Sequence, residues 1–398
     1  MFASNLKSND PRTSNKPITV LYLIDTSVSA PGSSLRGGAE KQLYLLASSL
    51  NPEKFRPIII QLSPDNSFQV ASGNLEGLEL FHFPTGKLYS LDGLRQINHL
   101  LSLTKKRRVD IIQTFFEKSE VMGWLAVRLS GIPVWITSRR DLGFKRKRIY
   151  DKIFRLTSKD CKKCIANCNA VKERMIQQEN LPPEKIEVIY NGLDLSEYQQ
   201  ILKTKPLREE LGVVNGAPLV GLVANFNFEI KGHIYFLGAA KKILEKVPDA
   251  KFVLVGDGPL RPRYEEVVRE LNIKKDVYFL GIRTDVPTII SNLDVSVLSS
   301  TNEGFSNVIM ESMAAGKPVV ATKVGGSKEM VSDGITGYLV PPADSQAMAG
   351  AIIDLLENPD KAMAMGSAGR EVVKEKFTVE TMVKKYEELY FSLLKDRG

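Results

Sequence analysis

Short apolar runs rich in β-branched residues alternate along the chain with longer segments in which apolar residues recur every three or four positions. In the first half these runs lie at 18–24, 57–62, 78–83, 109–115, 133–137, 163–167 and 186–190. In the second half they lie at 218–226, 251–258, 277–281, 294–300, 318–324 and 337–342. Strands that alternate with helices are typical of βαβ units, so the pattern predicts mostly parallel sheets.

A polar stretch without strand character, 191–213, separates the two series of runs. We therefore expect an α/β chain with two doubly wound, Rossmann-like domains, since 398 residues are enough for two full cores. The expected ranges are 16–200 for the first domain, 201–376 for the second and 377–398 for a helical tail. Ligands of open α/β sheets bind outside the carboxyl ends of the strands, so a cleft between the domains is the expected site.

The composition, with 43% apolar and 25% charged residues, is that of an ordinary globular protein. No run of eighteen apolar residues exists, and segment 1–15 is polar and lacks the apolar stretch of a signal peptide. We expect a cytoplasmic protein in which segment 1–15 is disordered.

The three cysteines, Cys161, Cys164 and Cys168, lie close together in "CKKCIANC". This spacing is compatible with a metal or cluster site. A four-ligand site would need another thiolate or a histidine, and the three histidines lie far away in sequence. Free thiols that are buried or half-buried are therefore the favoured interpretation, and we expect no metal cofactor.

The net charge of +8 is concentrated in the first half, where residues 1–200 carry 29 Lys and Arg against 20 Asp and Glu. Most of the excess lies in 139–163, and the basic patch we expect there consists of Arg139, Lys145, Arg146, Lys147, Arg148, Lys152 and Arg155. Ile149, Ile153 and Leu156, with Phe154 alongside, recur at helical spacing within it, which indicates an amphipathic basic helix. Such a helix binds anionic membrane surfaces, although it could also pack on the first domain with a solvated charged side.

The stretch "STNEGFSNVIMESMAAGKPVV", residues 301–321, follows a predicted strand and becomes helical near Ser306. Glu303 and Gly304 therefore fall in a loop at the carboxyl end of that strand. A helix start offers unpaired N–H groups to a phosphate, and glycine allows a close approach. The dipole contributes only about 0.3–1 kcal/mol, so a cation must help, and Lys231 in "EIKGH" is the predicted one.

Glu311 lies about one and a half turns into the same helix. A carboxylate there could accept the paired hydroxyls of a ribose, with the phosphates between Glu311 and Glu303. On the other interpretation, Ser306 is a helix cap, Glu303 a loop charge and Glu311 a solvated surface residue.

These residues resemble the retaining glycosyltransferases of family 4, which have the GT-B fold of two facing Rossmann-like domains. The segment "NEGFSNVIMESMAAGKPVVAT" is similar to the Glu-x7-Glu motif of that family. Further similar stretches follow in the family's order: "RGGAEKQLYLL", "IEVIYNGLDLSEY", "KGHIYFLGAA", "FVLVGDGPLR", "FLGIRTDVPTIISNLDVSVLSS" and "GGSKEMVSDGITGYLVPPAD". The resemblance implies that the C-terminal helix, 377–398, packs back toward the first domain.

The resemblance also implies roles for particular residues. Glu303 would contact hydroxyls of the transferred sugar, Glu311 the nucleotide ribose and Lys231 the diphosphate. The remaining donor-binding residues would be Gly304, Phe305, Ser306, Asn307, Asn225, Gly258, Arg261, Arg283 near the base, and Gly37 and Gly38 of a glycine loop in the first domain.

The sequence departs from the family pattern at two points. Family members commonly have an arginine shortly before the lysine, whereas this chain has Asn225 and Asn227. Asparagine brings no charge, so diphosphate binding would depend more on Lys231 or on Arg261. Many members also have a histidine near the sugar, where this chain has "SRR", and we expect Arg140 to line the cleft as a catalytic residue.

The resemblance implies that an acceptor hydroxyl attacks the anomeric carbon on the face from which the nucleoside diphosphate departs. The sequence has no Asp-x-Asp pair to hold a divalent metal, so we expect stabilisation of the leaving group by the helix and the lysine. The expected partners are a UDP-linked sugar, a lipid-linked or glycan acceptor of bacterial surface polysaccharide, and the inner face of the membrane. No nucleic acid is expected.

Three other functions remain open at this point. A sugar-nucleotide 2-epimerase has a similar two-domain fold, and fold alone does not exclude it. A dinucleotide-binding oxidoreductase is disfavoured, because "GDGPLR" has Arg261 where a G-x-G-x-x-G motif requires glycine. A basic nucleic-acid-binding protein is disfavoured, because no stacking-aromatic motif or recognition helix accompanies the basic patch.

Overall fold

The computed structural model describes residues 16–27, 37–64, 73–75, 78–144, 146–199, 207–214 and 216–395. The first of its two sheets has eight strands in the order β3-β4-β2-β1-β5-β6-β7-β8. These strands are β1 (Ile18–Ile24), β2 (Phe55–Gln61), β3 (Gly73–Leu75), β4 (Leu78–His82), β5 (Ile111–Phe115), β6 (Val134–Arg139), β7 (Lys163–Ala166) and β8 (Ile186–Val188). All neighbouring pairs are parallel except β3 and β4.

Helices cover both faces of this sheet, which explains why its central strand β1 is buried at every position. Leu21 and Leu23 of β1 belong to one buried cluster, whereas Val20 and Tyr22 belong to the cluster on the opposite face. The helices in this part of the chain are α1 (Gly38–Ser49), α2 (Leu91–Arg107), α3 (Glu117–Ser130), α4 (Arg148–Thr157), α5 (Asn169–Glu179) and α6 (Ser196–Gln199).

The second sheet has six strands in the order β11-β10-β9-β12-β13-β14, all parallel. Its strands are β9 (Leu219–Val223), β10 (Lys251–Val255), β11 (Val277–Gly281), β12 (Val295–Leu298), β13 (Val319–Thr322) and β14 (Gly337–Val340). The helices around it are α7 (Leu207–Glu210), α8 (His233–Leu244), α9 (Arg261–Glu270), α10 (Val286–Asn292), α11 (Asn307–Ala314), α12 (Ser327–Met330), α13 (Ser345–Glu357) and α14 (Pro359–Lys376).

The last helix, α15 (Val379–Lys395), leaves the second sheet and packs on the first. Its Tyr390 hydroxyl donates to Gln113 Oε1 of β5 at 2.6 Å and lies 3.0 Å from the Tyr22 hydroxyl of β1. Backbone hydrogen bonds also join Leu193 to Phe377 and Val379 where the chain crosses back. The predicted return of the C-terminal helix to the first sheet is therefore present.

The predicted fold class is confirmed, because each apolar run of the sequence overlaps a strand of one of the two sheets. The short antiparallel strand β3 was not predicted. The domain boundary stays a prediction, since residues 200–206 lie outside the described part of the chain, as does segment 1–15. None of the helices that the structure describes combines the length and the apolar character needed to cross a bilayer.

Candidate active site

The loops at the carboxyl ends of the two sheets face each other, and the loop between β12 and α11 contacts the loop after β6. A Cβ atom placed on Gly304 would lie 2.5 Å from the Arg140 carbonyl oxygen, just after β6 of the first sheet. A second contact joins the loops after β6 and β9, where the rings of Phe144 and Phe228 meet edge to face with centroids 5.5 Å apart. Glycine is therefore required at 304 by the contact between the sheets, a reason that the sequence did not give.

Lys231 and Glu303 form an ion pair on the rim of the second sheet. Lys231 Nζ lies 2.8 Å from Glu303 Oε2, and the Ser300 hydroxyl donates to the same oxygen at 3.1 Å. Lys231 ends a 3-10 turn, Glu229–Lys231, that follows β9, and Glu303 follows the neighbouring strand β12. The structure thus brings the predicted cation next to the predicted sugar-binding carboxylate, beside the amino end of α11.

Glu311 faces the first sheet rather than solvent, and its side chain is only 8% exposed. Lys41 Nζ of α1 lies 2.8 Å from Glu311 Oε1. One turn earlier on α11, the Asn307 side chain donates to the Gly38 carbonyl at 3.3 Å. The amino ends of α1 and α11 therefore meet across the cleft, which brings Gly37 and Gly38 next to Asn307 and Glu311.

Arg140 is held by the C-terminal helix and by the segment that follows β8. Its guanidinium donates to the Tyr386 hydroxyl at 3.0 Å and to Asn191 Oδ1 at 2.9 Å. Asn191 in turn donates to Asn307 Oδ1 at 2.8 Å, at the first position of α11. Arg140 thus lies two hydrogen bonds away from the helix start that is predicted to bind phosphate.

Arg261 and Arg283, the arginines predicted to bind phosphate and base, lie near strands β10 and β11 at one edge of the second sheet. The contacts described do not join them to Lys231 and Glu303. Arg261 pairs with Asp257 at 3.0 Å and Glu265 at 2.8 Å. Arg283 pairs with Asp285 at 2.7 Å and with Glu210, and hydrogen bonds from this arginine hold the pKa of Asp285 below its ordinary range. Both guanidinium groups are therefore already matched by carboxylates.

Asn225 and Gly258, the two other predicted donor-binding residues in this region, support the loop after β9. Asn225 Oδ1 accepts a hydrogen bond from the Asn227 backbone at 3.2 Å. A Cβ atom on Gly258 would lie 2.6 Å from the Phe226 carbonyl carbon, so this glycine allows two loops to touch. Their roles toward a donor stay predictions.

Two members of the predicted basic patch have buried side chains, at 2% exposed for Arg139 and 6% for Arg146. Arg139 pairs with Glu120 at 3.1 Å and Glu179 at 3.0 Å. Arg146 pairs with Glu179 at 2.6 Å. Burial raises the pKa of Glu179, but the charges and hydrogen bonds of the two arginines lower it by more, so it falls below its ordinary value. The prediction that Arg139 and Arg146 belong to an exposed patch is wrong, because each is needed to pair a buried carboxylate.

The remaining patch residues that the structure describes, Lys147, Arg148, Lys152 and Arg155, are exposed on or next to α4. Lys145 lies outside the described residues. Phe154 is buried, whereas Ile149 and Leu156 are 56% and 58% exposed. The outer face of α4 therefore carries two large apolar side chains among basic ones.

All three cysteines are buried free thiols. Cys161 Sγ and Cys164 Sγ lie 3.2 Å apart, and Cys168 Sγ lies 3.5 Å from the Gly304 carbonyl oxygen. Among the residues described here, no cluster of three or more histidine, cysteine, aspartate or glutamate side chains could hold a metal ion.

The sequence did not single out Lys41, Asn191 or Tyr386. Lys41 and Asn191 lie in "GGAEK" and "IYNGLD", two stretches that resemble the family. The resemblance gave neither residue a role. Their partners are 270 and 116 positions away along the chain, so only the arrangement of the two sheets reveals them.

Sequence models of two families match the chain. Glycosyltransferase Family 4 matches residues 36–197, and Glycosyl transferases group 1 matches residues 217–358. The UDP-Gal:alpha-D-GlcNAc-diphosphoundecaprenol alpha-1,3-galactosyltransferase of Escherichia coli is 28% identical over 80% of this chain and 85% of its own. The N-acetyl-alpha-D-glucosaminyl L-malate synthase of Bacillus anthracis is 34% identical over 54% of this chain and 56% of its own.

Solved structures agree with these sequence matches. Anabaena HepE in complex with UDP-glucose superposes with a TM-score of 0.80 at 26% identity, over 94% of this chain and all of that one. A glycosyltransferase from Rickettsia africae has the same fold, with a TM-score of 0.83 at 23% identity over 96% and 99% of the two chains. The two matched families together span most of the protein, and both of its sheets have counterparts in these structures. The chain therefore belongs to glycosyltransferase family 4, and it has the GT-B fold.

Proposed function

We propose that this glycosyltransferase moves a sugar from a UDP-linked donor to a lipid-linked or polysaccharide acceptor in bacterial surface glycan synthesis, such as lipopolysaccharide, capsule or exopolysaccharide. The observation that carries the proposal is the Lys231–Glu303 ion pair beside the amino end of α11. The names of relatives support the choice of substrates, since the Escherichia coli relative uses UDP-Gal and a diphosphoundecaprenol acceptor and HepE was solved with UDP-glucose.

The donor would lie across the rim of the second sheet, with its diphosphate at the start of α11. Backbone N–H groups of Gly304, Phe305, Ser306 and Asn307 would face the phosphates. The Lys231 ammonium has three N–H donors, so it can keep its hydrogen bond to Glu303 while it donates to a phosphate oxygen. This cation offsets the negative charge that develops on the leaving diphosphate.

Glu303 would bind hydroxyls of the transferred sugar, and Glu311 would accept the ribose hydroxyls. The Lys41 ammonium lies on Glu311 in this structure, so ribose binding requires Lys41 to move or to share the carboxylate. Arg140 would line the sugar side of the cleft, held by Asn191 and Tyr386. We propose retention of configuration by displacement on one face of the sugar, with leaving-group stabilisation that does not use a metal.

We further propose that the enzyme works in the cytoplasm at the inner face of the membrane. The exposed basic residues of α4 have the charge that an anionic leaflet attracts, at about 1 kcal/mol per residue near the surface. A lipid-linked acceptor would then be presented to the first sheet without leaving the membrane.

A nucleotide-sugar panel tests the reaction, with nucleoside diphosphate release measured in the presence and absence of a bacterial membrane lipid extract. UDP-sugars should give release that depends on the extract. Calorimetry then tests the site, because Lys231→Met should weaken UDP binding at least tenfold, while Lys246→Met, an exposed control beyond the opposite end of α8, should not. Unchanged UDP affinity in Lys231→Met would exclude the proposed phosphate site.

A further inference from the structure

Glu329 of the second domain accepts four hydrogen bonds from the first. Glu329 Oε2 accepts from the Asn169 backbone N–H at 2.9 Å, from the Asn169 side chain at 2.7 Å and from the Tyr190 hydroxyl at 3.0 Å. Glu329 Oε1 accepts from the Ala170 backbone N–H at 3.1 Å. A single carboxylate of α12 therefore binds the start of α5 and the segment that follows β8.

This carboxylate serves as the amino-terminal cap of a helix in the other domain. The first N–H groups of a helix have no partner within the helix and need one from a capping group. The residue before α5, Cys168, makes no side-chain cap. The N–H groups of Asn169 and Ala170 are satisfied instead by Glu329, which also places a negative charge at the positive end of the helix dipole.

The segment that carries Glu329 also supports the Glu303 loop. The Gly326 N–H donates to the Gly304 carbonyl at 2.7 Å. Gly325 has φ of +46°, and a Cβ atom on it would collide with the Glu303 carbonyl oxygen, so this close approach requires glycine. A displacement of α12 would therefore be transmitted directly to the backbone of Glu303 and Gly304.

A third contact closes this arrangement through Tyr190. Its ring stacks on Phe305 with centroids 5.2 Å apart, while its hydroxyl binds Glu329. Phe377 packs edge to face against both rings. Phe305, the residue after Gly304, is thus packed against Tyr190, which Glu329 also binds.

We propose that Glu329 is a positioning residue, which sets the distance between the Glu303 loop and the first domain by capping α5 only when the two domains are closed. The inference rests on the proposed function, because it takes Glu303 as part of the donor site. Domain opening would leave the α5 N–H groups to water and would release the Glu303 loop from the face that presents the acceptor.

Glu329→Ala tests this role, with Glu329→Asp as the conservative variant and Glu375→Ala, an exposed glutamate of α14, as the matched control. We expect kcat to fall at least tenfold in Glu329→Ala, UDP affinity to change by less than threefold, and Glu329→Asp to recover part of the kcat. Small-angle scattering should show a larger radius of gyration for Glu329→Ala than for the wild-type protein and Glu375→Ala. A kcat within twofold of wild type, or an unchanged radius of gyration, would overturn the inference.

A second variant and the scattering measurement keep the test decisive. If Glu329→Ala does not fold, Asn169→Ala combined with Tyr190→Phe removes two donors to the carboxylate and should lower kcat and open the domains in the same direction. The scattering comparison needs no substrate, so it decides the role of Glu329 even if no UDP-sugar is turned over. A failure to turn over any UDP-sugar would count against the proposed function alone.

Discussion

His233, the first residue of α8, shows how burial sets the chemistry of a single side chain next to the candidate site. Its ring is fully buried, and the ring centroid lies 4.5 Å from that of Phe226 and 4.7 Å from that of Tyr264. Burial lowers its pKa from 6.5 to about 4, so it is neutral in the folded protein at physiological pH. It follows Lys231 by two residues, and a neutral ring there adds no positive charge to the predicted phosphate site.

The lowered pKa predicts a dependence of stability on pH. Below pH 6.5 the unfolded chain binds a proton that folded His233 does not, so this group stabilises the fold above pH 6.5 and loses that contribution as the pH falls toward 4. Between pH 7.5 and 5 the loss should be about 2 kcal/mol. Urea unfolding followed by circular dichroism should show that stability falls by about 2 kcal/mol more over this range in the wild-type protein and in the exposed control His99→Phe than in His233→Phe. An equal pH dependence in all three proteins would contradict the assignment.

Residue identity in a charged run did not predict which charges are exposed. The sequence "RRDLGFKRKR" gives Arg139 and Arg146 the same appearance as Lys147 and Arg148. Their burial is decided by Glu120 and Glu179, which are far from the run in sequence and bring carboxylates under it. By contrast, Lys231 and Glu303 could be predicted together, because each lies in the loop after a strand of a parallel sheet and such loops share one rim.

Helix α4 is an element whose existence could be predicted from its period but whose orientation could not. Apolar residues occupy two sides of it, and the structure buries the side that carries Phe154 and exposes Ile149 and Leu156. Arg146 fixes this orientation just before the helix, because it is tied to Glu179 at the end of α5. The exposed face therefore combines apolar side chains with basic ones, as interfacial helices do.

This orientation predicts that α4 inserts into the membrane surface rather than binding it by charge alone. Burying a large aliphatic side chain is worth about 1.5–3 kcal/mol, so replacing two partly inserted ones should weaken binding at least tenfold. We expect Ile149→Ser with Leu156→Ser to reduce sedimentation with vesicles of phosphatidylglycerol and phosphatidylethanolamine. The matched control is Ile335→Ser with Met363→Ser, which removes two equally exposed apolar side chains from the second domain. Equal loss of binding in both pairs, or in neither, would contradict insertion by α4.

The strands and their mostly parallel arrangement within each half follow from local patterns, whereas the contacts between the halves do not. Lys41 with Glu311, Asn191 with Asn307 and Asn169 with Glu329 each join side chains that are more than a hundred positions apart. No hydrophobic period encodes such polar contacts, and they depend on how the two sheets are placed. The half of the candidate site that lies on the second sheet could therefore be predicted from the sequence, and the part contributed by the first sheet largely could not.

The C-terminal helix makes the stability of the first domain depend on the last segment of the chain. Helix α15 buries Val379, Met382, Val383, Tyr386, Leu389, Tyr390, Leu393 and Leu394. At about 1.5–3 kcal/mol for each side chain, their removal from the first sheet would cost about 12–24 kcal/mol, which is comparable to or larger than the roughly 5–15 kcal/mol by which a domain is stable. We therefore expect a chain that ends after Lys376 to have an unfolded first domain, although its second domain retains every strand.

Tryptophan fluorescence separates the two domains in this experiment. The only tryptophans of the protein, Trp124 and Trp135, both lie in the first domain, and Trp135 is 1% exposed. The emission of the chain that ends after Lys376 should shift to the red, and limited proteolysis should leave a fragment that begins near Leu207. A chain that ends after Lys395 is the matched control, because it keeps all of α15 and should emit as the full-length protein does. Wild-type emission from the shorter chain would show that the first sheet folds without α15, and that Tyr22 and Gln113 do not need Tyr390 as a partner.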